Sequence, residues 1–267
     1  MAVNIIIAGV LGRMGREIAA VALADPDTRL VGCTEAPSHE AIGKNAGALL
    51  GAAGMELELR PSMEALPVEN SVIINFTSPD ATCDLLRQIS GRGANVVIGT
   101  TGLSAEQVAL VNDYAREGAV VFSPNMGLGM NLLFHLTHVV ASRLGEAFDI
   151  EIIEAHHRHK KDAPSGTAKR LGEIAAGARH RSYDRDAQHG RQGATGERPR
   201  GEIGMHAVRG GDIVGDHTVL FAGPGERLEL KHSAQSRATF ARGAVTAAKW
   251  LQSRSPGIYS MQDVLGL

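Results

Sequence analysis

Residues 4–24 read NIIIAGVLGRMGREIAAVALA, a β-branched run that passes through a glycine-rich turn into a segment of helical periodicity. The unbroken isoleucine run predicts a strand that is covered on both faces, as in a parallel sheet. A strand that leads through glycines into a helix is typical of the turn at which backbone N–H groups approach a pyrophosphate. This stretch therefore predicts an α/β fold that binds a dinucleotide.

The glycine turn is not the strict G-x-G-x-x-G pattern, because Leu11 occupies the position of the middle glycine. Glu35 ends the second predicted strand about 20 residues further on, where an acid accepts hydrogen bonds from the adenosine ribose. Arg13 is a candidate to meet the pyrophosphate or a 2′-phosphate, whereas the Glu35 carboxylate would repel that phosphate. NADH is therefore expected ahead of NADPH, and the alternative is a strand-to-helix turn without a ligand.

The alternation of strands and helices continues to about residue 124. Four apolar runs, RLVGCT, SVIINFT, NVVIGTT and AVVFSP, are accompanied by helical segments at 79–91 and 104–117. This order predicts a doubly wound parallel sheet of the Rossmann type. The segments 99–102 and 123–126 follow two of these strands at their carboxyl ends, where open sheets bind ligands. They are candidates to line the nicotinamide side, although turn chemistry alone explains them equally well.

A second domain is expected from about residue 128. Residues 128–145 have apolar side chains near helical spacing, and DIEIIEAH at 149–156 alternates like a half-buried strand. Residues 203–234 predict antiparallel strands with turns at Gly210–Gly211 and Gly223–Gly225. A final helix at about 238–252 is predicted to return to the first domain. The polar segment 178–201 has few apolar residues, and we expect a mobile surface loop or, alternatively, a loop that closes over ligand.

Composition limits the classes of partner. The chain has 27 Lys and Arg against 29 Asp and Glu, so no chain-wide basic field favours nucleic acid or an anionic membrane. A small-molecule partner is expected instead. With Cys33 and Cys83 as the only cysteines, and no signal peptide or membrane-length apolar run, the sequence predicts a cytoplasmic protein without a disulfide framework.

Residues 153–168, IEAHHRHKKDAPSGTA, place three histidines, one arginine and two lysines ahead of Pro164. A metal site is one interpretation, but the neighbouring cations oppose a divalent ion. A solvated basic face is another. The third rests on Asp162–Ala168, which predicts a helix start with Pro164 and Ser165 at favoured entry positions. Cations followed by a helix N-terminus form a cradle for a carboxylate.

Histidine beside such a cradle is suited to proton delivery, because imidazole titrates near neutral pH. A lysine among other cations has its charged form disfavoured, which makes it a readier proton donor. The loop therefore predicts a site that holds an anion and protonates it next to a hydride source.

Five motifs together resemble one enzyme family: Glu154–Lys160, Asp162–Ala168, Gly12–Gly15, Gly99–Gly102 and Gly211–His217. They are similar to those of the 4-hydroxy-tetrahydrodipicolinate (dihydrodipicolinate) reductases of bacterial diaminopimelate and lysine synthesis. The resemblance spans nearly the whole chain, and the histidine–lysine motif is its most specific part.

The resemblance implies a dinucleotide-binding domain over 1–127, completed by 238–267, and an α+β substrate-binding and tetramerisation domain over 128–237. The implied reaction is reduction, by NADH or NADPH, of the cyclic unsaturated imine formed from the 4-hydroxy compound. The implied assembly is a homotetramer built through the substrate-domain sheets.

Carried onto matching positions, the resemblance makes His156 the proton donor or acceptor and Lys160 the proton donor. Substrate would be bound by His157, Ser165, Gly166 and Thr167, the carboxylate lying at the helix start. The implied cofactor contacts are Gly9, Val10, Leu11, Gly12, Arg13, Met14, Glu35, Gly99, Thr100, Thr101, Ser123, Pro124, Asn125 and Met126, and no metal is implied.

The chain departs from the family pattern at two places. Ala36 stands where many members carry an arginine, which leaves Arg13 as the main candidate for a 2′-phosphate partner. Val10 and Leu11 stand where small residues are usual. Two other functions are less consistent with the sequence. A dehydrogenase that acts on an amino-acid semialdehyde has no need for the clustered histidines, and the near-neutral charge disfavours a redox sensor that binds nucleic acid or protein.

Overall fold

The computed structural model describes residues 2–52 and 54–267. The chain divides into two compact units, Met1–Leu128 with Arg237–Leu267, and Gly129–Ser236. That the first unit binds a dinucleotide and the second binds substrate stays a prediction. Among the described residues, no helix combines the length and apolar character needed to cross a bilayer.

The α-helices and strands that begin the first unit are β1 (Val3–Ala8), α1 (Arg13–Ala24), β2 (Thr28–Thr34), α2 (Ala46–Leu50), β3 (Leu59–Arg60), β4 (Val72–Asn75), α3 (Pro79–Ile89), β5 (Asn95–Ile98), α4 (Ala105–Tyr114) and β6 (Ala119–Phe122). The second unit contains α5 (Leu128–Leu144), β7 (Asp149–His156), α6 (Gly166–Ala178), α7 (Tyr183–Asp186), β8 (Ala187–His189), β9 (Ile203–Arg209), β10 (Gly215–Gly223) and β11 (Glu226–Ala234). The chain then returns to the first unit with α8 (Ala238–Leu251), β12 (Gly257–Tyr259) and α9 (Met261–Leu265).

The sheet of the first unit is parallel throughout, in the order β12-β6-β5-β4-β1-β2-β3. Ile5 and Ile7 lie in one hydrophobic cluster and Ile6 in another, so β1 is covered on both faces as its apolar run predicts. Side chains of α8 pack into the cluster that contains Ile5 and Ile7. The prediction of a Rossmann-type sheet that receives a C-terminal helix is confirmed.

The second unit contains a mixed sheet in the order β11-β10-β7-β9-β8. Alternate residues of β7, from Ile150 and Ile152 to Glu154 and His156, are buried, as predicted for a half-buried strand. This inner face carries the apolar residues that pack with α5 and α6 in one cluster. The side chains of Glu154 and His156 therefore lie on the inner face of the strand.

One predicted hairpin is wrong, although the chain does turn at residues 211–212. β9 pairs in parallel with β7, and β7 lies between β9 and β10, so Gly210–Gly211 does not close an antiparallel hairpin. The turn at Gly223–Gly225 is confirmed, because β10 and β11 pair antiparallel on either side of it. Alternation of apolar residues predicts strands and their faces, but it does not predict which strands become neighbours.

The polar segment 178–201 also differs from the surface loop that was predicted. It contains α7 and β8, and β8 pairs in parallel with β9. Arg191 and Arg198 donate hydrogen bonds of 2.7 and 2.8 Å to Glu151 of β7. Ion pairs supply the ordering that apolar burial does not, and closure of this segment over a ligand stays a prediction.

Candidate active site

The β1–α1 turn has the backbone geometry of a phosphate-binding loop. Gly9 has φ +67°, and a Cβ added to Gly15 would lie only 2.1 Å from the carbonyl oxygen of Gly9. Both positions therefore require glycine. Gly12 caps α1 with no side-chain hydrogen bond, so its first-turn N–H groups are not satisfied by a capping side chain.

Glu35 ties this turn to the end of β2. Its carboxylate accepts hydrogen bonds from the backbone N–H of Leu11 at 3.0 Å and of Ala36 at 3.1 Å. A cavity of about 340 Å³ opens beside it. The cavity is lined by Ala8, Gly9, Thr34, Glu35, Ala36, Pro37, Pro61, Ser62, Met63, Thr77, Ser78, Ala81, Asp84, Leu85 and Gln88. These residues fit the adenosine half of a dinucleotide, with the Glu35 oxygens close to where the ribose would lie.

The structure places the predicted cofactor residues at the carboxyl ends of β1, β2, β5 and β6, within one unit. Val10 and Met126 are buried in the core, so only their backbone groups are available to a ligand. The Thr100 hydroxyl is buried as well and lies 3.0 Å from that of Thr82. Arg16 was not predicted from the sequence; its guanidinium donates a hydrogen bond to the carbonyl oxygen of Leu11 and so stabilises the turn.

His156 is the last residue of β7 and is 9% exposed. Its Nδ1 lies 2.6 Å from Oε2 of Glu154, which is 1% exposed. Arg209 of β9 binds both oxygens of the same carboxylate, each at 2.7 Å. Neither Glu154 nor Arg209 was predicted as a site residue from the sequence. Glu154 precedes His156 by two residues on a strand, and this spacing places the two side chains on the same face. No local sequence pattern indicates Arg209.

The start of α6 is joined to the same carboxylate. Ser165 caps the helix by accepting from the N–H of Ala168 at 3.1 Å, and its own N–H donates to Oε1 of Glu154 at 3.0 Å. A Cβ added to Gly166 would meet nothing within 4 Å, so space is open at the first helical residue. The predicted helix start is confirmed, and its backbone N–H groups and dipole are the features that would hold an anion.

His217 of β10 is a further missed residue, although it ends the motif Gly211–His217. Its Nε2 lies 3.1 Å from the Ser165 hydroxyl, and its ring meets that of His156 edge-on with centroids 5.2 Å apart. Burial, and then the nearby His156, lower the pKa of His217 to about 4. His217 is therefore a neutral neighbour of the site at neutral pH.

Lys160 has a different environment from the one expected. Its ammonium pairs with Asp162 at 2.9 Å, so a carboxylate stabilises the charge that neighbouring cations were expected to disfavour. The carbonyl oxygen of Asp162 accepts from Arg209, which connects the lysine turn to Glu154 and His156. Nδ1 of His157 is buried without a hydrogen bond in the described part of the chain.

This set of residues has the groups that proton transfer to a bound anion would require. His156, Ser165 and the turn that holds Lys160 are joined through Glu154 and Arg209, all within the second unit. Across residues 2–52 and 54–267, no group of three or more His, Cys, Asp or Glu side chains is arranged to hold a metal ion.

Comparison with known proteins agrees with these features. The family model for the dihydrodipicolinate reductase N-terminus matches residues 3–126, and that for the C-terminus matches residues 129–265. The 4-hydroxy-tetrahydrodipicolinate reductase of Thiobacillus denitrificans is 50% identical over the full length of both chains. That of Ruegeria pomeroyi is 48% identical and covers 99% of this chain and 98% of its own.

A solved structure extends the likeness to three dimensions. The dipicolinate-bound dihydrodipicolinate reductase from Paenisporosarcina sp. TG-14 superposes with a TM-score of 0.76 at 25% identity. The match covers 98% of this chain and 99% of that one. With both halves matched by the family models and full-length relatives near 50% identity, the chain belongs to the dihydrodipicolinate reductase family.

Proposed function

We propose that this chain reduces 4-hydroxy-tetrahydrodipicolinate, through its dehydrated cyclic imine, to tetrahydrodipicolinate in diaminopimelate and lysine synthesis. The relatives bear the name of that activity, and the neighbouring reductase binds dipicolinate, a cyclic dicarboxylate. The observation that carries the proposal is the sharing of one buried carboxylate, Glu154, between His156 and the start of α6. A proton carrier and an anion site are thereby held in one rigid arrangement.

The start of α6 receives a substrate carboxylate. Gly166 and Thr167 lie at the positive end of the helix dipole, and the space beside Gly166 is open. His157 and Lys160 lie on the turn that follows β7 and add donors for the second carboxylate. A ring with two anionic groups matches these two sets of donors.

Loss of water from the 4-hydroxy ring gives a conjugated imine, and addition of a hydride and a proton gives the product. A bound NADH or NADPH supplies the hydride. His156 supplies the proton from Nε2, because Nδ1 is engaged by Glu154. Lys160 is the second donor and compensates the negative charge that develops on the ring. Each turnover therefore consumes one nucleotide and one proton and releases one water.

The first unit provides the nucleotide site. Glycines at positions 9, 12 and 15 let the backbone approach the pyrophosphate, and Glu35 accepts from the ribose hydroxyls. Ala36 is exposed and offers no charge to a 2′-phosphate, which leaves Arg13 as the candidate. NADH is the preferred cofactor because Glu35 repels a phosphate at that position.

A homotetramer is the proposed assembly, formed through the sheets of the second unit. On the outer face of that sheet, Ile153 and Val208 are 37% and 49% exposed, and the register places Val208 beside Ala155. Exposed aliphatic side chains on adjacent strands favour contact with another sheet.

The test is an assay that supplies the condensation product of pyruvate and aspartate semialdehyde and follows nucleotide absorbance with NADH and NADPH separately. His156→Ala and Lys160→Ala are each expected to lower kcat by about 10²-fold or more with little change in nucleotide affinity. His159→Ala, an exposed histidine of the same turn, is the matched control. Failure of the folded wild-type protein to oxidise either nucleotide would refute the function, and full turnover in both variants would remove the two acid assignments.

A further inference from the structure

We infer that Glu154 is a positioning residue for the reaction: its carboxylate fixes His156 with the proton on Nδ1 and makes Nε2 the nitrogen that gives up a proton to substrate. This inference rests on the proposed function, because it assumes that His156 is the proton donor. It concerns a residue that acts through His156 and through the start of α6, without touching substrate itself.

Among the described residues, the four hydrogen bonds that the Glu154 carboxylate accepts come from groups of the candidate site. Oε2 accepts from Nδ1 of His156 at 2.6 Å and from Arg209 at 2.7 Å. Oε1 accepts from the Ser165 N–H at 3.0 Å and from Arg209 at 2.7 Å. Two oxygens with two bonds each leave the carboxylate fully satisfied and unable to rotate. The imidazole and the helix start are therefore held at a fixed separation.

Glu154 is ionised in spite of its burial. Burial by itself would raise the pKa of Glu154, but hydrogen bonds from Arg209, His156 and the Ser165 N–H outweigh it and hold that pKa below its ordinary value. An ionised carboxylate has no proton to donate. The hydrogen of the His156–Glu154 bond must therefore belong to Nδ1, and proton exchange is left to Nε2.

The surroundings of the ring support this assignment. Besides Glu154 on its own strand, the ring faces β10, where His217 lies edge-on and uncharged at neutral pH. A Cβ added to Gly215 of β10 would lie 3.0 Å from Nε2, so glycine leaves room at that nitrogen. Arg209 of β9 reaches the ring only through Glu154. Among the described residues, Glu154 is the charged group bonded to the imidazole.

A purely structural ion pair is the alternative, and β7 provides an internal comparison. Glu151 lies on the opposite face of the same strand and is also bound by arginines and a histidine, with His206 Nε2 at 2.6 Å. Neither His206 nor Glu151 belongs to the helix start. If the charge cluster serves only stability, neutralising Glu151 and neutralising Glu154 should have the same kind of effect.

The experiment compares Glu154→Gln, Glu154→Asp and the control Glu151→Gln. In Glu154→Gln, Arg209 retains the one remaining oxygen and the amide NH₂ faces Nδ1, which reverses the tautomer of His156. We expect kcat to fall about 10²-fold with KM changed only a few-fold, and the alkaline limb of the kcat profile to move to lower pH. Glu154→Asp should recover part of kcat, and Glu151→Gln should retain kcat and the profile.

A second measurement requires no variant. Nitrogen-15 NMR of histidine-labelled wild-type protein reports the tautomer of neutral His156 directly, its signal being assigned by its loss in His156→Ala. Protonation on Nδ1 supports the inference. Protonation on Nε2 overturns it, and this result does not depend on whether Glu154→Gln folds. An unchanged kcat and pH profile in folded Glu154→Gln overturns it as well.

The two proposals fail in different ways. Loss of turnover in His156→Ala with full turnover in Glu154→Gln retains the proposed function and refutes the positioning role. Full turnover in His156→Ala refutes the proton-donor assignment and the positioning role together.

Discussion

The buried side chain of His217 makes the stability of the protein depend on pH. Burial, followed by repulsion from His156, lowers its pKa from 6.5 to about 4. Between these values the unfolded chain takes up a proton and the folded chain does not, so the free energy of unfolding falls as the pH falls through this window. A shift of this size corresponds to about 3 kcal/mol.

His217→Gln should therefore reduce the loss of stability between neutral pH and about pH 4, because glutamine cannot take up that proton in either state. Urea unfolding at several pH values measures the difference. The exposed His138 provides the control variant His138→Gln, which should keep the wild-type pH dependence. Parallel stability curves for wild type and His217→Gln would contradict the prediction.

Ala36 is the residue at which cofactor choice can be tested. Its N–H donates to Glu35, and its methyl group is exposed beside the ribose pocket. Ala36→Arg should raise kcat/KM for NADPH relative to NADH by about tenfold, since a guanidinium pairs with a phosphate and offsets the Glu35 charge. Ala36→Gln, of similar length without the charge, should leave the ratio near that of wild type. An unaltered ratio in Ala36→Arg would argue against this account of the pocket.

At the scale of elements, the longer strands and helices of the first unit were predictable because each has a strong local signal, whereas the short elements α2, β3, β12 and α9 were not predicted. The isoleucines of β1 and the serine that begins α4 determine burial and capping without distant partners. The site was only partly predictable. His156 and Ser165 stand in one stretch of sequence, whereas Arg209 reaches Glu154 from a strand whose pairing with β7 no local pattern specifies.

The segment from β8 to Glu202 is held in place by ion pairs, and this leads to a prediction for β8. Arg198 donates to Asp149, to Glu151 and to the carbonyl oxygens of Ile150 and Glu202. Arg198→Met removes these bonds and leaves the acceptors unpaired, so the amides of β8 should exchange with deuterium at least about tenfold faster.

The matched control for that experiment is Arg200→Met, two residues away and exposed. Its exchange should equal that of wild type. If the amides of β8 exchange at the same rate in Arg198→Met as in wild type, pairing with β9 is enough to order the segment. The ion pairs would then not explain its order.

For the whole molecule, each unit depends on residues far apart in the chain. The first is completed by α8 and β12, with β12 pairing beside β6 at the edge of the parallel sheet. The second contributes a sheet whose inner face carries the site and whose outer face exposes Ile153 and Val208. The two faces of this sheet thus have separate proposed roles, proton transfer on the inner face and assembly on the outer face.

Val208→Asp tests the proposed tetramer contact. A carboxylate placed in an apolar contact between sheets would be buried without a partner, which costs several kcal/mol for each contact. Light scattering after gel filtration should give about four times 28.1 kDa for wild type and a smaller particle for the variant. Leu228→Asp is the control. Leu228 is 41% exposed on the same sheet, but it pairs directly with Phe221 and therefore lies on the inner face. A full-sized particle in Val208→Asp, or a wild-type monomer, would exclude the outer face as the tetramer contact.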